Sequence, residues 1–198
     1  MHTQIADTKI ELGNITLKNN VKKLSRLFSS SQTTFHFNSG YWSDKNEYNL
    51  LGGETGFDSN ETKLPTYWST SFTKICLGLK IGQQLNFILI DKVANSLYSL
   101  IADGQYRTIS LSRNSWMTLI GSQAYLQSSC NREGFNAVSG LATLGQARIG
   151  IISNNENDYH TCDSRIGFGT GGLHDDSNVC GNEGGGNHVK AMGYILVQ

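Results

Sequence analysis

Six carboxylates crowd into one short stretch of this chain, residues 154–187, NNENDYHTCDSRIGFGTGGLHDDSNVCGNEGGGN. They are Glu156, Asp158, Asp163, Asp175, Asp176 and Glu183, and Arg165 is the only Lys or Arg among them. The amides of Asn154, Asn155, Asn178 and Asn182 add neutral oxygens, and Cys162 and Cys180 bracket the middle. A segment so polar and so acidic calls for an external cation to order it. Calcium suits it best, because calcium takes six to eight oxygens from carboxylates, amides and backbone in a flexible shell.

Competing chemistries fit less well. Gly167-Phe-Gly169-Thr-Gly171-Gly172 spells G-x-G-x-x-G. A dinucleotide site needs a helix directly afterwards, and here an Asp- and Asn-rich loop sequence follows. Asp176, Asn178 and Gly181 stand at EF-hand positions 1, 3 and 6, but position 12 is Asn187 rather than Glu. His160, Cys162, His174 and Cys180 lack zinc-knuckle spacing. Asp158, His160 and Asp163 could be read as acid, base and orienter, but no nucleophile elbow and no H-E-x-x-H accompanies them. The expectation is a binding protein, not an enzyme.

The flanking elements must hold this stretch. Residues 147–152 and 191–197 read as apolar strands at its two ends. Upstream, 75–81, 85–90, 97–101 and 116–120 are short apolar runs punctuated by Gly82, Asn95, Gly104 and Asn114, and all four read as strands. Residues 121–146 give no clear pattern. The aromatics between Phe35 and Trp68 read as core plugs beneath long loops. Strands with scattered short helices define an α+β class. At the N-terminus Ile10, Leu17 and Leu24 recur at sevens, with Val21 and Leu27 on nearby faces. This predicts an amphipathic helix over 10–27, in an arm of residues 1–34 that could associate copies of the chain, ahead of a main domain over 35–198.

Composition bounds the partners. The 198 residues carry no formal net charge and only 16% charged side chains, which argues against nucleic acid as a partner. No run of about 20 apolar residues spans a membrane, and the opening MHTQIADTKIELG has no apolar signal-peptide region. Four cysteines and the sequons at Asn14 and Asn60 point to an extracellular setting. Of the three connectivities four cysteines allow, the expected one is Cys76–Cys130 with Cys162–Cys180, the second closing the acidic stretch.

Specific motifs carry a family resemblance. They are Gly52-Gly-Glu-Thr-Gly-Phe57, Lys74-Ile-Cys-Leu-Gly-Leu-Lys80, Ser96-Leu-Tyr-Ser-Leu-Ile-Ala-Asp-Gly104, Cys130-Asn-Arg-Glu-Gly-Phe135, Asp163-Ser-Arg-Ile-Gly-Phe-Gly169, Asp175-Asp-Ser-Asn178 and Cys180-Gly-Asn182. In these the chain resembles a family of secreted cnidarian proteins, which includes coral skeletal organic matrix proteins and a calcium-dependent galactose lectin. The C-terminal part also resembles intelectins, calcium lectins of fibrinogen-like fold, through Asn154-Asn-Glu156, His160 before Cys162, Ile166-Gly167, Asp175-Asp176 and Cys180-Gly-Asn182. It departs from them in the residues Asn157, Asp158 and Tyr159 before His160, in Asn182 where intelectins have Asp, and in lacking their aromatic pair. The resemblance implies a fibrinogen-like domain in which sugar hydroxyls complete a calcium shell. The expected metal ligands are Asn154, Glu156, Asp163, Asp175, Asp176, Asn182 and Glu183. The expected sugar contacts are Asp158, Tyr159, His160, His174 and His188, with terminal galactose as the sugar. The alternative expectation is an extracellular or biomineral matrix protein that binds calcium without sugar.

Overall fold

The computed structural model describes residues 10–12, 15–17, 22–29, 34–53, 57, 59–162, 164–172, 178–180 and 187–198, with backbone alone at 10–29, 53, 130, 178–180 and 187. In chain order the elements are β1 (Ile10–Leu12), β2 (Ile15–Leu17), β3 (Lys22–Ser29), β4 (Thr62–Lys63), α1 (Thr66–Ser69), β5 (Phe72–Ile81), β6 (Gln84–Ala94), α2 (Leu97–Ile101), β7 (Arg107–Thr108), α3 (Arg113–Ile120), β8 (Ser129–Val138), β9 (Gln146–Asn154), β10 (Ser164–Gly171), β11 (Asn178–Cys180), β12 (Asn187–Val189) and β13 (Ala191–Val197). The fold is α+β, with mostly antiparallel strands and few, short helices.

Two sheets share one core. Five strands run in the order β4-β3-β13-β5-β6 and six in the order β12-β11-β10-β9-β8-β7. Ile75, Leu77 and Leu79 of β5, Ile88 and Ile90 of β6, and Ile195 and Val197 of β13 form one buried cluster with Phe135, Ile149, Ile151, Ile166 and Phe168 of the larger sheet. Each such side chain contributes about 1.5–3 kcal/mol by leaving water. Phe35, Trp42 and Tyr67 join this core almost fully buried, as expected, and Tyr41, Tyr48 and Trp68 pack against it. Among them sits a buried lysine. Lys63 Nζ donates to Asp44 Oδ1 at 2.6 Å and to Asp44 O at 2.9 Å, and it lies 5.0–5.6 Å from the ring centroids of Tyr41, Tyr67 and Trp68. Burial opposes ionisation of Asp44, but the Lys63 ammonium and the Asn46 amide hold its carboxyl below the usual range.

Several sequence expectations are corrected. Among the described residues of 10–27 there is no helix: β1 pairs with β2, and β3 pairs with both β13 and β4. Backbone pairing on both sides of β3 outweighs a weak heptad pattern. The 97–101 and 116–120 runs are helices rather than strands. Leu97, Leu100 and Ile101 in α2, and Trp116, Leu119 and Ile120 in α3, are buried at helical three- and four-residue spacing. Ser96 and Ser99 form a reciprocal cap at the start of α2, and Ser112 caps α3. Cys76 makes no disulfide. It packs with Leu196, Phe57, Phe87 and Leu89 on the five-stranded sheet, whereas Cys130 lies on β8 of the other sheet, with its side chain outside the described residues. The Cys162–Cys180 pairing also lies outside them, because Cys180 is described in backbone alone.

Three glycines line up across the larger sheet. Gly150 is paired with Gly134 on one side and Gly167 on the other. A Cβ at Gly150 would lie 2.4 Å from Ile166 O, one at Gly167 would lie 2.3 Å from Ile149 O, and one at Gly134 would lie 2.0 Å from Arg107 O. The obstructing atoms are backbone, which has no rotamer in which to escape. Gly150→Ala is therefore expected to lower stability by about 3 kcal/mol, read as a fall in urea midpoint. Gly40→Ala, where nothing lies within 4 Å of the new Cβ, should stay within about 0.5 kcal/mol.

Burial pushes the Cys76 thiol up to about 12. A thiol-specific chromogenic reagent at pH 8 should leave Cys76 unmodified in the native protein and label it on unfolding without reductant. A requirement for reductant would restore the disulfide expectation.

Candidate functional site

One face of the six-stranded sheet carries the site. Ladder pairing sets His188, Val179, Arg165, Ile152 and Arg132 in a single row across β12, β11, β10, β9 and β8. Directly opposed residues share a face. The same row passes the backbone ends of β10, β11 and β12, the strands that flank the acidic segments. Part of the stretch read as a loop is thus strand: β10 is buried along its whole length.

The β9–β10 connection folds back over this face. Cys162 is buried in a small cluster with Ile152 and Ala137. Gly140 N donates to Tyr159 O at 2.7 Å, Leu141 N to His160 O at 2.9 Å, and Gly145 N to Cys162 O at 2.7 Å. Ser139 Oγ also bonds the carbonyls of Tyr159 and His160, at 3.2 and 2.8 Å. Residues 159–162 are therefore tied to the turn between β8 and β9.

Within the connection, two expected site residues act as organisers. Asn154 is 1% exposed. Its Nδ2 donates to Asp158 O at 3.1 Å and to Thr161 Oγ1 at 2.9 Å, and its Oδ1 accepts from Asn155 N at 2.9 Å. So placed, Asn154 holds the loop from beneath. Asp158 Oδ1 accepts from His160 N at 2.7 Å and from Thr161 N at 3.3 Å, an Asx turn that leaves Oδ2 without a described bond. The Cys162 thiol donates to Asp158 O at 3.8 Å.

The other described candidates are exposed. Glu156, Asp158, Tyr159 and His160 all face solvent on the connection, and His188 does so on β12. Tyr159 is 49% exposed, and the Arg132 guanidinium lies 6.0 Å from its ring centroid. Asp163, His174, Asp175, Asp176, Asn182 and Glu183 lie outside the described residues. Among the described residues no group of three His, Cys, Asp or Glu converges as a metal site. Glu156 and the free oxygen of Asp158 are hard donors of the kind calcium takes, but they do not make a shell by themselves.

Two residues of this face escaped the sequence reading. Arg132 lies over the Tyr106 ring at 4.0 Å, and Tyr106 Oη donates to Glu133 O at 3.0 Å. The only signal was that Arg132 belongs to the Cys130-Asn-Arg-Glu-Gly-Phe135 motif.

The fold and site define an α+β protein of two large antiparallel sheets, beside the small β1-β2 pair, with an exposed acidic and aromatic loop laid on the larger of the two. Comparison with protein-family models, with curated proteins and with solved structures finds no match.

Removal of the Asn154 amide should loosen the connection. Asn154→Ala is expected to cost about 1–2 kcal/mol and to speed amide hydrogen exchange in residues 155–162 ahead of the sheet. Unchanged exchange there would show that the clamp from 139–145 suffices alone.

Proposed function

We propose that the protein is a secreted, calcium-dependent lectin for terminal galactose, built on a fibrinogen-like domain. The carrying observation is the clamped 155–162 connection. It offers two carboxylates, Glu156 and Asp158, beside an exposed ring, Tyr159, and an exposed imidazole, His160, on the face that His188 shares. Residues 158–162 are held before any ligand arrives, which lowers the ordering entropy that opposes binding.

In this reading Glu156 and Asp158 hold calcium together with Asp163, Asp175, Asp176, Asn182 and Glu183. Asn154 and the first oxygen of Asp158 keep the loop in shape. Calcium, when bound, offers open coordination positions that vicinal sugar hydroxyls fill in place of water. Carboxylates beside it accept the hydroxyl hydrogens in charge-assisted bonds. Tyr159 supplies an aromatic face for the apolar side of the sugar ring, and His160, His174 and His188 are the polar groups around it. The motif resemblance supports Glu156, Asp175, Asp176 and Asn182 among these ligands, whereas Asp158, a sugar contact in the sequence reading, is added by its position beside Glu156.

Retention on galactose-agarose tests the proposal. The protein should bind with calcium and elute with EDTA or free galactose. Glu156→Gln and Asp158→Asn, which keep shape and remove charge, should each weaken calcium binding by roughly tenfold. Retention indifferent to EDTA, or no glycan bound at all, would overturn the reading. Thermal stabilisation by calcium with no response to any sugar would favour the matrix-protein alternative.

A further inference from the structure

Arg132 is an arginine held in place with one edge that meets no acceptor among the described residues. It lies on β8 opposite Ile152, on the face that the 155–162 connection covers. Its guanidinium sits 4.0 Å from the Tyr106 ring centroid and 6.0 Å from that of Tyr159. Nη1 donates to Val138 O at 3.0 Å. Six residues of extended strand span roughly 20 Å, farther than an arginine side chain reaches, so β8 must curl between the two. Gly134 at φ 146° and Asn136 at φ 51° mark where it does so.

The charge on this group is not neutralised among the described residues. The described ion pairs are Lys63–Asp44, Lys74–Asp91 and Arg107–Asp103. The neighbouring Glu133 is engaged elsewhere, accepting from Leu111 N, Ser112 N and Trp116 Nε1. Asp158 turns its Oδ1 to the backbone of its own loop. The Nε and Nη2 edge of Arg132 thus has no hydrogen-bond acceptor among the described residues. A surface arginine ordinarily sweeps many rotamers and gains little from an ion pair for that reason. Here two rings and a carbonyl fix the plane in advance, so less freedom is lost when an acceptor arrives.

The flanking rings indicate what kind of acceptor fits. Tyr106 is 37% and Tyr159 49% exposed. The group therefore presents a planar two-donor fork between partly open aromatic faces. A carboxylate matches that fork with two parallel N–H···O bonds, and a ring with apolar C–H groups suits the faces. We infer that Tyr106, Arg132 and Tyr159 form a subsite for the carboxylate of an acidic sugar, such as a uronic acid. This rests on the lectin reading and extends it from neutral galactose to galactose-like sugars that carry a carboxylate.

Calorimetric titration with galacturonate, galactose and galactose sulfate, each with calcium and with EDTA, tests the subsite. Galacturonate should bind about fivefold more tightly than galactose, and added salt should narrow the gap. Arg132→Gln should abolish the preference while galactose affinity stays, and Arg132→Lys, which keeps the charge without the fork, should restore only part of it. Melting curves of both variants check folding. Equal affinity for galacturonate and galactose, with both lost in EDTA, would overturn the subsite and leave the calcium reading intact. Arg132-dependent galacturonate binding that survives EDTA would uphold the subsite and overturn the calcium reading. An equal gain from galactose sulfate would overturn the carboxylate assignment.

Discussion

The close approach of three strands at the row Gly134, Gly150 and Gly167 is the constraint on which the functional face depends. No side chain fits there, because each Cβ position is taken by the backbone of an adjacent strand. The row beside it on the same face holds Arg132, Ile152 and Arg165. Curling of β8 past Gly134 lets Arg132 reach Val138 O and aims the following turn, 139–145, at the connection between β9 and β10. Without that tight packing the turn and the connection would have no shared set of hydrogen bonds.

The two bonded segments then divide the labour. The buried part of the connection, Asn154 below and Cys162 behind, supplies rigidity. The exposed part presents carboxylates at Glu156 and Asp158 and an aromatic ring at Tyr159 to solvent. Asn154, which organises the loop from beneath, is buried and satisfied by partners a few residues away, which is what a buried polar group requires. Groups left exposed keep acceptors and ring faces available. The same division recurs at Lys63, where burial, one carboxylate and three rings turn a charged residue into a fixed point of the core.

Much of this was legible in the residues, and the failures have physical causes. The long β-rich runs at 75–81, 85–90, 147–152 and 191–197 were read correctly, because length and β-branched content distinguish them. The runs at 97–101 and 116–120 are too short for apolar content to decide between helix and strand. The serine caps at Ser96 and Ser112 were the better evidence. At the N-terminus a seven-residue recurrence suggested a helix, while Gly13-Asn14 between Leu12 and Ile15 was a hairpin dipeptide. The acidic stretch led to a hard-cation expectation by composition, but composition could not tell that Asn154 is buried. Arg132 and Tyr106 are 26 residues apart, and only the β7–β8 pairing brings them to one face.

The central claim is that calcium and a sugar meet on this face. A crystal structure of the protein soaked with calcium and galactose tests it most directly. The account expects an ion bound by Glu156 or Asp158 together with carboxylates of 163–183, two sugar hydroxyls in its shell, and Tyr159 against the ring. An ion and sugar bound elsewhere, or a sugar on this face with no ion beside it, would contradict the account.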